Sequence, residues 1–375
     1  MDTREKLQLL ADASRYDLSC SCGKNADDGR TRSPEGVWLY PASLPGGGKS
    51  VMLKTLMSNS CVNDCRYCPF RSDQDFRRCT LGPDEVARLF MPYARTGKVF
   101  GLFLSSGVVR DADHTMDRIT ATARILRRRY QYRGYIHLKV VPGASDAAIE
   151  DALSLSSAVS LNVEVPTAAA MATLSDRKDF HNGIVRAMRR ISELTSRGGP
   201  YAGVKQSTQF IVGAAGESDR SIVQATFGLY KRLKLSRVYF SAYQRGLGDG
   251  SIPGERTALT QPSDLLTREH RLYQVDWLIR KYGFKDDEIP FLGNGNLSLE
   301  ADPKEIWAKE HPELFPLDVN RADKSELLRV PGLGPATVAR ILQLRRDGGK
   351  VRRLRQIGRV GKRLQKATPY LKFGA

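Results

Sequence analysis

The sequence predicts an α/β protein in which a parallel sheet of six β-α units is followed by a small all-α domain. Short apolar segments alternate with helical stretches along residues 51–285, a pattern typical of parallel strands joined by crossover helices. Near the end of the chain, two helical stretches flank the tight turn Pro331–Gly334. The 375 residues are 41% hydrophobic and 27% charged, as in an ordinary globular protein, and leave room for two or three domains.

The predicted elements divide the chain into four segments. An N-terminal extension over residues 1–50 begins with a helix from Arg4 to Ser14 and continues into polar, turn-rich sequence. The β-α units occupy 51–285, a connector occupies 286–316, and the all-α domain occupies 317–375. The six strands are predicted at 51–58, 99–106, 134–141, 158–165, 207–213 and 237–243. Helices are predicted near 83–95, 114–130, 145–155, 167–173, 183–197, 217–233 and 262–282.

Two features of the N-terminal extension invite a ligand. Cys20 and Cys22 are interpreted as ordinary loop thiols, and the alternative is a second metal site with Cys79 as a third ligand. The PGGGKS segment resembles a phosphate-binding loop, but position 43, where a Walker A motif needs glycine, is serine. We therefore interpret that segment as a flexible turn.

The predicted location is the cytoplasm, with the nucleoid as an alternative. The first 17 residues are charged and lack the apolar segment of a signal peptide. No apolar run approaches the ~20 residues that a membrane-spanning helix needs. The cysteine spacing described next favours a reducing compartment over a disulfide framework.

Three cysteines in the stretch SNSCVNDCRYCPF form the most specific motif. Cys61, Cys65 and Cys68 have the spacing C-x3-C-x2-C, with Tyr67 directly before the last cysteine. Three thiolates from one loop suit a soft metal centre. A [4Fe–4S] cluster ordinarily takes four cysteines, so three would leave one iron open to a non-protein ligand. The alternatives are structural zinc, which normally has four ligands, and a disulfide, which a reducing compartment disfavours.

This loop resembles the cluster loop of the radical S-adenosylmethionine (SAM) superfamily. The resemblance implies a [4Fe–4S] cluster on Cys61, Cys65 and Cys68 and reductive cleavage of SAM to a 5′-deoxyadenosyl radical, which abstracts hydrogen from a substrate. It also implies that the six β-α units form the partial (β/α)6 TIM-like barrel of that superfamily. In such barrels the chemistry lies at the carboxyl ends of the strands.

The superfamily carries a Gly-Gly-Glu turn after its second strand, which holds the methionine amino group of SAM. The matching turn here is Ser105-Ser106-Gly107, in which the acid is missing. The resemblance therefore implies that serine hydroxyls or backbone carbonyls make this contact.

Strand four carries Asn162 and Glu164, which share one face by the period-two alternation of a strand. A carboxylate inside a barrel needs a partner. The cofactor's ribose hydroxyls or amino group would supply one, and the alternative is an ion pair with Lys139 or Lys205. Lys139 is also a candidate for meeting the substrate.

The segment QFIVGAAGES at strand five resembles the superfamily's adenine-contacting motif, in which Gly213 lets the backbone approach the adenine. Strand six offers Ser241 and Tyr243 as further cofactor contacts, and Tyr67 is expected near the adenine. The alternative for the tyrosines is a place in the barrel core.

The tail carries most of the positive charge. Of the net charge of +18, +12 lies in the last 55 residues, which contain 15 basic and three acidic residues. Such a concentration indicates a polyanionic partner, with nucleic acid as the natural candidate. An alternative is a solvated basic face.

The sequence DVNRADKSELLRVPGLGPATVARILQLRRDGG resembles the helix-hairpin-helix module, with the hairpin at Gly332, Leu333 and Gly334 and an expected helix cap at Asn320. Glycines allow such a turn to lie against a phosphate. The resemblance implies DNA binding through the hairpin and through Thr337 and Arg340 on the second helix. The alternative is a protein-packing role. A second, degenerate copy follows, with Arg359 where the first hairpin glycine belongs.

Nearly the whole chain resembles one family, the DNA modification/repair radical SAM proteins, which usually accompany a uracil-DNA-glycosylase-like protein. The segments that carry the resemblance are the cluster motif, YDLSC, LFLSSG, GYIHLKVVPGA, QSTQFIVGA, REHRLYQVDWL and DVNRADKSELLRVPGLG. The resemblance implies a role in DNA modification or repair, a uracil-DNA-glycosylase-like partner and an electron donor such as flavodoxin or ferredoxin.

An extruded nucleotide is the expected form of the substrate, because an atom inside the base stack does not reach a buried cofactor. Two alternatives remain open. The first is radical SAM modification of a structured RNA such as tRNA. The second is a non-catalytic DNA-binding scaffold for the glycosylase-like partner, against which the three-cysteine ligand set argues.

Overall fold

The computed structural model describes residues 1–17, 30–43, 48–256 and 262–374. Cys20 and Cys22, and with them the alternative of a second metal site, lie outside the described residues, as do Pro45, Gly46 and Gly47 of the PGGGKS segment. The chain forms two compact units. The first comprises Met1–Glu217 and Gly228–Glu269, and the second comprises Ser218–Phe227 and His270–Ala375.

The core of the first unit is one eight-stranded sheet whose strands lie in sequence order, β1 to β8. Strands β3 to β8 are all parallel, while β1 and β2 pair antiparallel at one edge. The prediction of six parallel β-α units is confirmed. The strands are β1 Thr31–Arg32, β2 Trp38–Ser43, β3 Lys49–Leu56, β4 Gly101–Ser105, β5 Tyr135–Lys139, β6 Ala158–Ser160, β7 Lys205–Val212 and β8 Arg237–Ala242, with β9 Leu317–Asp318 and β10 Leu371–Lys372 in the second unit.

Helices alternate with the parallel strands and bury their apolar faces. The helix after β3, for example, buries Val86, Phe90 and Met91. The helices are α1 Thr3–Ala13, α2 Pro83–Arg95, α3 Ala112–Arg124, α4 Asp146–Leu155, α5 Ala168–Leu174, α6 Arg186–Thr195, α7 Asp219–Arg232, α8 Pro253–Arg256, α9 Pro262–Trp277, α10 Pro303–Glu310, α11 Lys324–Arg329, α12 Pro335–Arg346 and α13 Lys362–Gln365. Within the described residues, no helix is both long and apolar enough to cross a membrane.

Strand four is shorter than predicted. The sequence pattern indicated a strand over 158–165, but β6 ends at Ser160, and beyond it only Glu164 makes an isolated bridge, to Phe210. Glu164 has φ +65°, a left-handed backbone conformation that interrupts a strand. Asn162 and Glu164 therefore do not belong to one regular strand, although their side chains meet, with Asn162 Nδ2 donating to Glu164 Oε2 at 3.4 Å.

The antiparallel strands β1 and β2 were not predicted within the N-terminal extension. Strand β2 contains Pro41, which pairs with Val51 of β3 and has no N–H to donate to a neighbour. A proline inside an apolar run lowers the strand signal, so the sequence read as loop.

The second unit contains the helix-hairpin-helix region together with α10. Helix α11 is capped by Asp323, whose side chain accepts a 2.9 Å hydrogen bond from the Glu326 N–H. The predicted cap, Asn320, was wrong. Its side chain instead exchanges two hydrogen bonds with the backbone of Val351, at 2.7 and 3.0 Å, and so fixes the segment that enters the second motif.

Candidate functional site

The three cysteines lie in a loop, residues 59–79, that follows β3 and that we call the cluster loop. Arg78 holds this loop closed from within, because its guanidinium donates to the carbonyl oxygens of Asn59, Phe70 and Arg71 at 2.6 to 2.9 Å. The Asn59 side chain adds two more bonds across the same neck, accepting from the Cys79 N–H at 2.7 Å and donating to the Arg77 carbonyl at 2.8 Å. The loop is therefore a fixed frame for its cysteines.

Backbone N–H groups point at two of the three sulfurs. The Sγ of Cys61 accepts from the N–H groups of Asn63 and Val108, and the Sγ of Cys68 accepts from the N–H of Phe70, each at 3.4 Å. Burial raises the pKa of Cys65, and burial together with Cys65 raises the pKa of Cys68 to about 12. Without a bound metal, burial favours the protonated form of these two thiols, whereas the N–H groups favour a sulfur that carries negative charge.

Within the described residues, no three His, Cys, Asp or Glu side chains are close enough to hold one metal ion. This finding does not weigh against a cluster, since each cysteine of a cluster binds a different iron.

The cysteines open into a cavity at the carboxyl ends of the parallel strands. Its space amounts to about 1200 Å³, including open solvent at its mouth. Among the described residues that line it, Cys61, Cys65 and Cys68 are the only cysteines. Every parallel strand, or the residues just after it, contributes to the wall, with Leu56, Ser105, Lys139, Asn162, Ile211 and Ser241 as one example from each.

Most of the residues that the sequence predicts as cofactor contacts meet in this cavity. Eight of the nine line it: Tyr67, Ser105, Ser106, Gly107, Asn162, Glu164, Ser241 and Tyr243. Lys139, which the sequence left open, lines it as well. Their role as cofactor contacts stays a prediction.

Gly213 is the exception, since it does not belong to the cavity lining. It has φ +91°, and a Cβ atom there would lie 2.9 Å from Leu265. Its N–H donates to the Glu217 carboxylate, which also accepts from the Ala215 N–H at 3.0 Å. Gly213 therefore shapes the turn after β7, and Ile211 and Gln209 of the same strand face the cavity.

Gly107 fits β4 against the cluster loop. A Cβ atom at this position would lie 2.3 Å from the carbonyl oxygen of Ser60 and 3.2 Å from the Cβ of Cys61. The Gly107 N–H donates to the Ser58 carbonyl at 2.7 Å. The glycine thus permits the close approach of two backbones that brings the Ser105–Gly107 turn beside the cysteines.

A buried polar triad also lines this cavity. The Tyr67 hydroxyl donates to Glu164 Oε1 at 2.9 Å, and Lys178 Nζ lies 2.7 Å from the Tyr67 hydroxyl and 3.3 Å from the same carboxylate oxygen. The side chains of Lys178 and Glu164 are each 7% exposed. Burial acts to lower the pKa of Lys178, but Cys65 and Glu164 outweigh it and raise that pKa above its usual value. The ammonium therefore stays charged beside the cysteines.

Lys178 is the site residue that the sequence missed. The alternative to a cofactor contact was an ion pair of Glu164 with Lys139 or Lys205, and the structure pairs Glu164 with Lys178 instead. Lys178 lies in a short irregular segment between α5 and α6, where no periodicity indicates which way a side chain points.

The described part of the tail places its two hairpins in different surroundings. In the first, Leu333 and Gly334 are buried and Gly332 is half-buried. Thr337 is half-buried and Arg340 is exposed. In the second, Arg359, Val360 and Gly361 are exposed. DNA binding by the first hairpin stays a prediction.

Comparison with known proteins gives one family match, to the helix-hairpin-helix motif over residues 316–369. No curated protein matches the chain. Among solved structures, the chain is similar to methylornithine synthase (PylB), with 15% identity over 61% of this chain and 62% of that one and a TM-score of 0.47.

Two other solved structures are similar to a comparable degree. The FeFe-hydrogenase maturase HydG from Carboxydothermus hydrogenoformans has 16% identity, covers 59% of this chain and 50% of its own, and has a TM-score of 0.46. The radical S-adenosylmethionine methyltransferase TsrM from Kitasatospora setae, solved with cobalamin and a [4Fe-4S] cluster bound, has 14% identity, 50% and 34% coverage and a TM-score of 0.40. The aligned regions thus span less than two thirds of each neighbour, and likenesses of this degree carry no argument about activity.

Proposed function

We propose that this protein is a radical SAM enzyme that acts in DNA modification or repair. The observation that carries the proposal is the meeting, in one cavity at the carboxyl ends of six parallel strands, of three cysteines from a single fixed loop with the polar side chains that a sulfonium nucleotide would need. Cys61, Cys65 and Cys68 would hold a [4Fe–4S] cluster with one iron open.

The donor set fits such a cluster. Three thiols in one wall supply three iron ligands, and the N–H groups that point at Cys61 and Cys68 are of the kind that stabilises cluster sulfur and tunes its potential. When bound, the cluster supplies one electron to SAM, whose cleavage gives methionine and a 5′-deoxyadenosyl radical.

The chain's own residues would bind and orient the cofactor. In this proposal the Ser105–Gly107 turn receives the amino group in place of the missing acid. Glu164, held by Tyr67 and Lys178, accepts hydrogen bonds from the ribose hydroxyls, and Asn162 supports its second oxygen at 3.4 Å. The left-handed backbone of Glu164 is a strained conformation of the kind that clusters at binding sites, which supports this role.

The substrate class rests on the tail. The helix-hairpin-helix match over 316–369 and the 15 basic residues among the last 55 support binding of a nucleic acid through its phosphates. We propose DNA as that nucleic acid, with an extruded nucleotide as the substrate. The uracil-DNA-glycosylase-like partner and the flavodoxin or ferredoxin donor remain part of this proposal.

The test is anaerobic reconstitution with iron and sulfide, followed by addition of reductant and SAM, with 5′-deoxyadenosine as the readout. The proposal expects formation of 5′-deoxyadenosine by the wild type, none by the Cys61→Ala, Cys65→Ala or Cys68→Ala variants, and a faster rate with duplex DNA than with tRNA. A faster rate with tRNA would favour the RNA alternative. No 5′-deoxyadenosine from a fully loaded wild type would favour the scaffold alternative.

A further inference from the structure

We propose that the second, degenerate hairpin, and not the one whose sequence matches the motif, is the surface that contacts the phosphate backbone of duplex DNA. This surface consists of the hairpin Ile357–Gly361 and the basic side chains on either side of it. The inference rests on the proposed function, because it assumes that the tail binds DNA.

The first hairpin is enclosed by protein. A Cβ atom at Gly332 would lie 2.4 Å from the carbonyl oxygen of Arg363, so the second motif packs directly against this turn. From another side, Lys304 Nζ donates to the Leu333 carbonyl at 2.8 Å. Leu333 is 1% exposed. The glycines of the first hairpin therefore serve a close protein contact.

The second hairpin is open. Apart from its own chain neighbours, no atom of the described chain lies within 4 Å of a Cβ atom placed at Gly361, and Val360 is 43% exposed. Five exposed basic residues lie in this hairpin or near it in the sequence: Arg353, Arg355, Arg359, Lys362 and Arg363. From residue 348 to the end, the sequence has nine basic residues and no acidic one.

The hairpin is nevertheless held in place. Ile357 is fully buried, and its carbonyl accepts a 3.3 Å hydrogen bond from Arg340 of α12. Upstream, Gln356 Oε1 accepts from the N–H groups of Arg352 and Arg353 at 2.7 and 2.9 Å. The cations therefore project from a fixed backbone. Arg340, predicted to touch DNA, acts in this scheme by positioning the second hairpin.

The charge itself identifies the ligand class. Helix α13 has only four residues, so the surface depends on side-chain cations and not on a helix terminus. Side-chain cations displace the counterions that are condensed on DNA. The logarithm of the binding constant therefore falls with the logarithm of the salt concentration, with a slope of about −0.9 for each phosphate neutralised. The number of phosphates that this surface neutralises therefore sets the salt dependence of DNA binding.

The experiment measures duplex DNA binding by the full-length protein over a salt series. The test variant is the triple substitution Arg355→Ala, Arg359→Ala, Lys362→Ala. We expect it to lower affinity about 10-fold or more at 0.15 M salt and to reduce the log–log salt slope by about 2 to 3. A charge-preserving variant, Arg355→Lys, Arg359→Lys, Lys362→Arg, is expected to bind like the wild type and shows that the fold tolerates change there.

Two further variants distinguish DNA binding by the second hairpin from a general effect of positive charge and from DNA binding by the first hairpin. Arg88→Ala, Arg128→Ala, Arg133→Ala removes the same charge from exposed sites of the first unit and is expected to change the slope by less than about 1. Ala336→Trp adds bulk at an exposed position next to the first hairpin and is expected to leave binding unchanged.

The inference would be overturned if the Arg355→Ala, Arg359→Ala, Lys362→Ala variant kept the salt slope of the wild type, or if only Ala336→Trp lost DNA binding. Either result would leave the proposed function standing. A wild type that binds no DNA would remove the DNA part of the proposed function and this inference with it. Binding of tRNA with the same sensitivity, and of duplex DNA not at all, would overturn the assignment to DNA.

Discussion

The Nζ atom of Lys178 lies 2.7 Å from the hydroxyl oxygen of Tyr67, although the two residues are 111 positions apart in the sequence. This contact ties the cluster loop to the segment between α5 and α6, and Glu164 completes it from a third segment. The cysteines and the expected ribose contact are thereby joined in one buried network.

Breaking this network should affect stability and SAM binding in separable ways. Lys178→Met leaves the Glu164 carboxylate buried without its cationic partner. We therefore expect the free energy of unfolding to fall by about 3 to 5 kcal/mol, as measured by urea titration of the protein without its cluster. Lys205→Met, at an exposed strand position, is the matched control and should change stability by no more than about 0.5 kcal/mol.

The double variant Lys178→Met, Glu164→Gln removes both charges and should recover much of the lost stability, because no uncompensated charge remains. Its SAM affinity, measured by calorimetry on the reconstituted protein, should stay at least about 10-fold weaker than that of the wild type, in line with the loss of a charge-assisted hydrogen bond. Wild-type SAM affinity in the double variant would show that the network serves only the fold.

Arg78 should control retention of the cluster. Its guanidinium donates to the carbonyl of Asn59 at the start of the cluster loop and to those of Phe70 and Arg71 within it, so Arg78→Met loosens the frame without touching a cysteine. We expect fewer irons per chain after desalting and faster loss of iron to a chelator. Arg77→Met, the exposed neighbour, is the control. Equal chelation rates for the two variants would contradict the role given to Arg78.

Gly107→Ala should separate β4 from the cluster loop. The added Cβ would lie 2.3 Å from the Ser60 carbonyl oxygen. Because that oxygen belongs to the backbone and the Cβ is fixed to the backbone of residue 107, one of the two backbone segments must move. Iron content after reconstitution is expected to fall sharply. Gly203→Ala, where no atom lies within 4 Å of the new Cβ, should reconstitute normally. Full iron content in Gly107→Ala would show that the loop shifts without consequence for the cysteines.

Lys304 should make the second unit pH-sensitive. Burial lowers its pKa from 10.5 to about 7, with Asp302 opposing and Arg363 and Arg329 adding to the shift. Between these two values the unfolded chain holds a proton that the folded chain has released, so stability rises with pH from about 7 to 10, by up to ~1.4 kcal/mol per pH unit.

The measurement is urea unfolding of the wild type and of Lys304→Met at pH 6, 7, 8 and 9. Methionine cannot titrate, so the stability of the variant relative to the wild type should be highest at pH 6 and fall as the pH rises. A difference that stays constant across this range would show that the lysine keeps its proton in the folded state.

The sequence was sufficient to predict the parallel strands and the cysteine loop, but not the contacts among Lys178, Tyr67 and Glu164. Local patterns predict the six parallel strands and the cysteine loop, since both depend on residues close together in the chain. The contact of Lys178 with Tyr67 and Glu164 depends on how a short irregular segment folds back against the cluster loop and Glu164. No periodicity encodes it.

The two hairpins give the same lesson in another form. The glycine pattern at Gly332 and Gly334 correctly indicates a tight turn, but a turn motif says nothing about what covers the turn. Lys304, which encloses it on one side, lies before the matched residues 316–369, and Arg363, which encloses it on another, belongs to the second motif. Likewise, β6 ends at Ser160 and Glu164 has a left-handed φ, although the side chains of this segment alternate like those of a strand.

The central claim is that one iron of a three-cysteine cluster is open to SAM. Mössbauer spectroscopy of the anaerobically reconstituted, ⁵⁷Fe-labelled protein tests it most directly. The account predicts that adding SAM changes the signal of one iron in four and leaves the other three unaltered. A spectrum that SAM does not change, from a protein with four irons per chain, would contradict it.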